Sequence, residues 1–310
     1  MPRFSVCIPS YNNACYLDAC VKSVLSQDFR DIELIVINDG STDDTCMLLN
    51  RIASSDARVI AVNRADNRGL HRTRAEGVEL ATGDYTVFLD SDDEFLPGFL
   101  TKLDSALRAN PVDLLHFGIK VEDCGVGTSE ASQFESYINA PLEELTGEGI
   151  MRAVFSPGAG GYRQDWRFTQ RAFATPLLKR AFDSMTGADL GRAEDAYESF
   201  VTLAMATRSV TRNDIVGLLY NYGRGVNSGS RFLSRTLPRM LMSSGPPSAQ
   251  SKIMRSVWAR PLPRNAPMVL VGSFSTCCSM TGRIVSRTAI RSKRRVRLAS
   301  APRISLALSS

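Results

Sequence analysis

Short apolar runs alternate with stretches of helical periodicity through the first third of the chain. Phe4 to Ile8, Ile32 to Asn38, Val59 to Val62 and Tyr85 to Leu89 are runs of strand length, and nearly continuous apolar runs of that length belong to strands covered on both faces. Between them, Ala14 to Ser26 places Leu17, Val21, Val24 and Leu25 at helical spacing. Asp44 to Ala53 follows a Ser/Thr/Asp cluster of the kind that caps helices, and His71 to Leu80 predicts a third helix. Strand and helix in alternation predict an α/β fold with a Rossmann-like, mostly parallel sheet and flanking helices. Ligands of such sheets bind beyond the carboxyl ends of the strands, which directs attention to the loops after Ile8, Asn38 and Leu89.

Beyond Asp93 the pattern becomes mixed. It predicts a helix over Phe99 to Ala109, a strand over Leu114 to Val121, a Gly-rich loop at Gly158 to Gly161 and a helix over Ala193 to Ala206. From about Ser230 the chain turns to Ser, Arg and Pro, with Gly245-Pro246-Pro247 and the run Lys293-Arg294-Arg295-Val296-Arg297. This divides the chain into 1–110, 111–230 and a basic tail over 231–310.

Charge sharpens that division. The 310 residues carry a net charge of +5, yet no acidic side chain follows Asp214, so the basicity belongs to the tail. A nucleic-acid partner would rest on that tail alone, without basic groups interleaved with base-reading residues on a folded face, and none is expected. The tail suits peripheral contact with an anionic membrane, a disordered terminus, or translation in a wrong reading frame. No apolar run of membrane-spanning length is present, and Phe4 to Ile8 is too short and too quickly polar for a signal peptide. The seven cysteines form no Cys-x-x-Cys pair, and with His71 and His116 as the two histidines no zinc site of usual spacing can be assembled. Reduced thiols in a cytoplasmic protein are expected.

Val87-Phe88-Leu89-Asp90-Ser91-Asp92-Asp93 is an apolar strand that stops at clustered carboxylates. Such a cluster is costly unless a cation or hydrogen-bond donors neutralise it. A hard divalent ion, Mn²⁺ or Mg²⁺, is held by one or two carboxylates and completes its shell with water and phosphate oxygens, which fits this arrangement. The competing reading has Ser91 or Asp93 capping the helix that follows Pro97. At the end of the first strand, Pro9-Ser10-Tyr11-Asn12-Asn13 presents an aromatic ring and amides. The second strand ends in Asn38-Asp39-Gly40-Ser41-Thr42-Asp43. A nucleotide base needs a carboxylate or amide at its polar edge and a surface to lie against, which Asp39 and Tyr11 offer. Tight-turn and cap chemistry accounts equally for Ser41, Thr42 and Asp43.

Together these segments resemble family 2 glycosyltransferases with the GT-A fold. The resemblance is carried by Val6-Cys7-Ile8-Pro9-Ser10-Tyr11-Asn12, by Glu33 to Asp43, by Asn67-Arg68-Gly69-Leu70 with Arg74 and Gly77, and by Phe88 to Asp93, in matching order and spacing. It implies that Pro9, Tyr11 and Asp39 line a nucleoside pocket, with Asn12 and Ser91 beside them on the donor side. It also implies that Arg74 lies near the donor and that Asp90 and Asp92 engage the ribose and the metal. Ala75 departs from the family pattern, which often has Asn after this Arg. Arg74 has a second reading as a solvated helix residue.

A weaker likeness extends to Arg192-Ala193-Glu194-Asp195-Ala196-Tyr197-Glu198-Ser199-Phe200, similar to the Glu-Asp that opens an acceptor-side helix in the family. Inverting sugar transfer needs a carboxylate near the attacking hydroxyl, and Asp195 is the candidate, with Glu194 orienting the acceptor or capping the helix. Arg224, in the Gly-flanked loop that runs on to Ser228, has the chemistry to reach a diphosphate. Trp166 suits either stacking on a sugar or a half-buried core position. The implied partners are a nucleotide-diphosphate sugar, UDP-linked by preference, and a saccharide or lipid-linked acceptor. Two rivals are a non-catalytic nucleotide-binding subunit and a sugar-nucleotide nucleotidyltransferase. The latter would be expected to begin with a Gly-rich phosphate loop, where this chain has Pro9 to Asn13.

Overall fold

Four strands, β1 (Phe4–Ser10), β2 (Ile32–Asn38), β3 (Val59–Asn63) and β4 (Tyr85–Phe88), alternate with three helices, α1 (Ala14–Leu25), α2 (Thr45–Ser55) and α3 (Leu70–Leu80). They are described in a computed structural model covering residues 1–156, 164–185 and 194–224. The strands run parallel in the order β3-β2-β1-β4, with Cys7 opposite Ile35 on one side and Phe88 on the other. The near-continuous burial of β1 and β2 explains their apolar runs. Alternate residues serve opposite cores: Phe4, Val6 and Ile8 of β1 pack with Leu17, Val21 and Val24 of α1, whereas Cys7, Ile35 and Ile37 pack with Val78 of α3. Successive units extend the sheet from β1 through β2 to β3, and the chain then returns to place β4 on the other side of β1. That reversal opens a crevice beyond the carboxyl ends of β1 and β4.

The remaining elements extend the sheet in mixed fashion. They are β5 (Glu94–Phe95), α4 (Phe99–Ala109), β6 (Leu114–Asp123), α5 (Thr128–Ile138), β7 (Leu145–Thr146), α6 (Glu148–Phe155), β8 (Arg171–Ala174), α7 (Thr175–Ser184), α8 (Glu194–Met205) and β9 (Arg208–Tyr222). The order continues β4-β8-β6-β9-β5; β8 is antiparallel to both neighbours, β9 parallel to β6, and β5 and β7 antiparallel to β9. Helix α4 is capped by Gly98, in the left-handed region at φ 73°, so neither Ser91 nor Asp93 caps it. No helix among the described residues is long and apolar enough to cross a membrane. The loop Gly158 to Gly161, Arg192-Ala193, Gly225 to Ser228 and the tail 231–310 lie outside the described residues.

Beneath β9 the packing leaves no room at Gly217, where an added Cβ would meet the ring of Phe99. That ring is fully buried, with Phe95 at 4.8 Å and Phe117 at 4.6 Å between centroids, so it has nowhere to move. Gly217→Ala is therefore expected to cost about 1–3 kcal/mol through overpacking. Chemical denaturation would measure it, and a midpoint equal to the parent's would mean that Phe99 is free to shift.

Candidate active site

Side-chain amides tie the three strand-end loops together. Asn12, the only non-glycine residue with positive φ (51°) among the described residues, donates its N–H to Ser41 Oγ at 2.9 Å and accepts the Thr42 N–H on Oδ1 at 2.8 Å. Asn tolerates this left-handed conformation better than most residues. Asn13 Nδ2 donates to Ser91 Oγ at 2.7 Å, and the Ala14 N–H donates to Asp43 Oδ2 at 3.0 Å. Ser41, Thr42 and Asp43 thus lock neighbouring loops as well as turning the chain. Pro9 is half-buried, and Tyr11, 45% exposed, presents its ring to solvent at the crevice rim.

Asp39 is buried against the start of α3. Its Oδ1 accepts from Arg64 Nη1 at 2.8 Å and the Arg68 N–H at 3.0 Å, and its Oδ2 accepts the Gly69 N–H at 2.9 Å. A carboxylate at a helix N-terminus is favoured by the unpaired amides there and by the helix dipole.

The carboxylates after β4 are under-neutralised. Asp90 lies at the crevice floor, where the surrounding protein strips away water and pushes its pKa up to about 6 despite nearby Arg74. Burial likewise raises Asp92, with Arg224 opposing the shift. Asp93 is raised well above the ordinary carboxylate range by burial, then by Asp90 and Asp92. One Asp93 oxygen accepts the Asn221 N–H at 2.8 Å and the other has no partner, while Asn221 Nδ2 donates to the Asp92 carbonyl at 2.9 Å, binding this loop to β9. Among the described residues no group of three or more His, Cys, Asp or Glu encloses a metal site. Two cleft carboxylates short of positive charge fit a Mg²⁺ or Mn²⁺ ion that draws its other ligands from a diphosphate and water.

Helices α3 and α8 meet across the crevice. Arg74 is 2% exposed and is no solvated helix position. Its Nη1 donates to Asp195 Oδ1 and, at 2.7 Å, to Glu198 Oε2; its Nη2 stands 3.7 Å from Asp90 Oδ1. The guanidinium centre lies 5.6 Å from the Phe168 ring centroid and 5.9 Å from that of Phe88. Burial works against its charge, but Asp195, Glu198 and Asp90 carry its pKa well above the ordinary value. His71 Nδ1 lies 2.8 Å from Glu198 Oε1. Glu194 has a buried oxygen without a partner, and burial followed by the Asp195 charge pushes its pKa up to about 7.

Sequence-expected residues therefore converge from both halves: Asp90, Arg74 and Asp195 form one charged chain, with Asp92 on the same loop as Asp90. Arg224 lies over the Tyr16 ring at 5.1 Å and is electrostatically linked to Asp92. Trp166 is half-buried against the core, its carbonyl accepting from Ser199 Oγ at 2.6 Å. Sequence reasoning assigned no role to His71, Glu198 or Arg167. Arg167 is stacked 4.2 Å from Phe134 and 4.7 Å from Tyr220, paired with Asp165 at 3.2 Å, and electrostatically coupled to Asp195 and Asp93. The available signal was spacing: His71 with Arg74, and Asp195 with Glu198, are i,i+3 pairs that share a helix face.

Comparison with known proteins places this geometry in a lineage. A GalNAc(5)-diNAcBac-PP-undecaprenol beta-1,3-glucosyltransferase of Campylobacter jejuni is 36% identical over 104 residues, 33% of this chain and 34% of that protein. The chain thus spans about a third of that relative's length. A PGL/p-HBAD biosynthesis glycosyltransferase of Mycobacterium bovis is 37% identical over 189 residues, 57% of this chain and 72% of the relative. Among solved structures, S. aureus TarS 1-349 in complex with UDP-GlcNAc superposes with a TM-score of 0.66 at 21% identity, covering 96% of this chain and 77% of TarS. The mannosyltransferase PcManGT from Pyrobaculum calidifontis, in complex with GDP-Man and Mn²⁺, gives a TM-score of 0.52 at 16% identity, covering 94% of this chain and 79% of PcManGT. These two likenesses show the shared GT-A architecture. The glycosyl transferase family 2 model matches residues 5–168, more than half of the chain, and the chain belongs to that family.

Proposed function

We propose that this protein transfers a sugar from a nucleotide-diphosphate donor, UDP-linked by preference, to a hydroxyl of a saccharide or lipid-linked acceptor, with inversion at the anomeric carbon. The observation that carries the reading is Arg74, held between Asp90 at the foot of the donor-side strands and Asp195 on α8. That contact brings a carboxylate suited to take a proton next to carboxylates suited to a metal-bound diphosphate. UDP-GlcNAc in TarS and GDP-Man with Mn²⁺ in PcManGT support a nucleotide-sugar donor and a divalent ion. The undecaprenol-linked substrate in the Campylobacter relative's name supports a lipid-linked acceptor.

In this reading residues 1–110 bind the donor and 111–230 the acceptor. The base lies against Tyr11 and Pro9 with Asp39 at its polar edge, while Asn12 and Ser91 keep the donor loops in register. Asp92 and Asp90 would hold Mn²⁺ or Mg²⁺, which would supply positive charge to the departing diphosphate. Arg224 reaches toward the same diphosphate. Asp195 accepts the proton of the attacking hydroxyl as the new bond to the anomeric carbon forms and the bond to diphosphate breaks. A non-catalytic nucleotide-binding subunit would keep the donor pocket and lack this last step.

Nucleotide release from a panel of UDP-, GDP- and TDP-sugars, with Mn²⁺ or with chelator, tests the assignment. Asp92→Asn is expected to abolish metal-dependent donor binding. Asp195→Asn should bind donor as the parent does and turn it over about 10²–10⁴-fold more slowly. Absence of turnover of any donor with any metal would favour the non-catalytic reading.

Glu194 carries a pH-dependent signature of its own. Its folded pKa of about 7 stands above the ordinary 4.5, so the folded state holds the proton more tightly than the unfolded chain. Its contribution to stability therefore declines as pH rises from about 4.5 through about 7. Glu194→Gln, which cannot ionise, should melt increasingly above the parent across that window and by a constant margin beyond it. Parallel melting curves from pH 4.5 to 7.5 would contradict the raised pKa.

A further inference from the structure

We propose that Glu198 is a positioning residue for sugar transfer, fixing Arg74 and, through it, the orientation of Asp195. This rests on the reading of Asp195 as the base. The two helices meet through paired ladders: α3 presents His71 and Arg74, and α8 presents Asp195 and Glu198. Each pair is spaced i,i+3 and so shares a helix face. Glu198 is 0% exposed, and a carboxylate so buried persists only where hydrogen bonds and opposite charge replace water. Its oxygens are divided between the helices' partners, Oε1 to His71 Nδ1 at 2.8 Å and Oε2 to Arg74 Nη1 at 2.7 Å.

The consequence falls on Asp195. Its side chain is 37% exposed, and the contact the structure gives that carboxylate is Arg74 Nη1, the same nitrogen that Glu198 holds. An Arg side chain has many rotamers, and one left between Asp195 and Asp90 alone would have no fixed third point. Glu198 supplies that point from the buried side, with the Phe88 and Phe168 rings flanking the guanidinium. The clamp touches neither Tyr11, Asp39 nor Asp92, and Arg74 stands 3.7 Å from Asp90, beyond hydrogen-bond distance. Loosening it should therefore leave donor binding intact and misplace the base, since a general base must lie within hydrogen-bond reach of the proton it takes.

The test measures UDP release from UDP-GlcNAc with Mn²⁺ in the full chain, alongside UDP affinity by calorimetry. Glu198→Gln preserves shape and should lower kcat about 10- to 100-fold while UDP affinity stays within about threefold of the parent. Combined with Asp195→Asn it should cost nothing further, because the hydrogen bond through which the clamp acts goes to that carboxylate. If Glu198→Gln does not fold, Glu198→Asp, which keeps the charge on a shorter arm, should show the same separation of kcat from affinity. Unchanged kcat in the folded variant, or a loss that multiplies with that of Asp195→Asn, overturns the proposal and leaves Asp195 as base. Where UDP-GlcNAc is not turned over, the donor of the UDP-, GDP- and TDP-sugar panel that is turned over replaces it with its own nucleotide; an unimpaired Asp195→Asn, or a parent that releases nucleotide from no donor of the panel, instead overturns the underlying function and the proposal with it.

Discussion

One buried guanidinium organises the crevice. Arg74 is the residue through which the end of β4 and helix α8 meet, facing Asp90, Asp195 and Glu198 at once. Its single positive charge faces three carboxylates, and their negative charge is what holds Arg74 protonated despite its burial. Burial leaves Asp90 and Asp92 reluctant to ionise, with Asp92 and Asp195 adding to the effect at Asp90, so the loop after β4 is poised for additional positive charge. That electrostatic imbalance sits beside a sheet packed on both faces by apolar cores.

The sheet makes such an arrangement tolerable. Strand order reverses at β1, so the loops after β1 and β4 flank one crevice, and Asn13 joins them through Ser91. Asn12 joins the β1 loop to the β2 loop, and Asn221 ties the Asp92-Asp93 backbone to β9. Amide side chains do this well because each carries both donors and an acceptor. Like charges are held close because neutral groups fix the backbone that bears them.

How much of this the sequence disclosed depended on whether a feature is local. The strands β1 to β4 and helices α1 to α4 were legible within a residue or two at each end, because strands covered on both faces carry unbroken apolar runs and helices carry their own period. β8 was not, since four residues give no period and its place between β4 and β6 is decided by pairing. The polar start of β9, Arg208 to Asn213, hid a strand that sits beside β6. At the site, Asp90, Asp92 and Arg74 stood out through motif order, whereas His71 and Glu198 gain meaning only when α3 meets α8. A Glu three residues after an Asp is unremarkable until its partner helix is known.

The neighbouring carboxylates Glu194 and Asp195 show how environment divides work between like groups. They are adjacent at the first turn of α8, where the helix dipole favours negative charge on both. Yet Arg74 binds Asp195 and not Glu194, while a Glu194 oxygen is buried without a partner. Burial disfavours the charged form of Glu194. On the proposed reading this difference in surroundings is functional: a Glu194 that holds its proton more readily adds less repulsion when the diphosphate arrives. Glu194 is then better suited to donate a hydrogen bond to the acceptor than to compete for its proton.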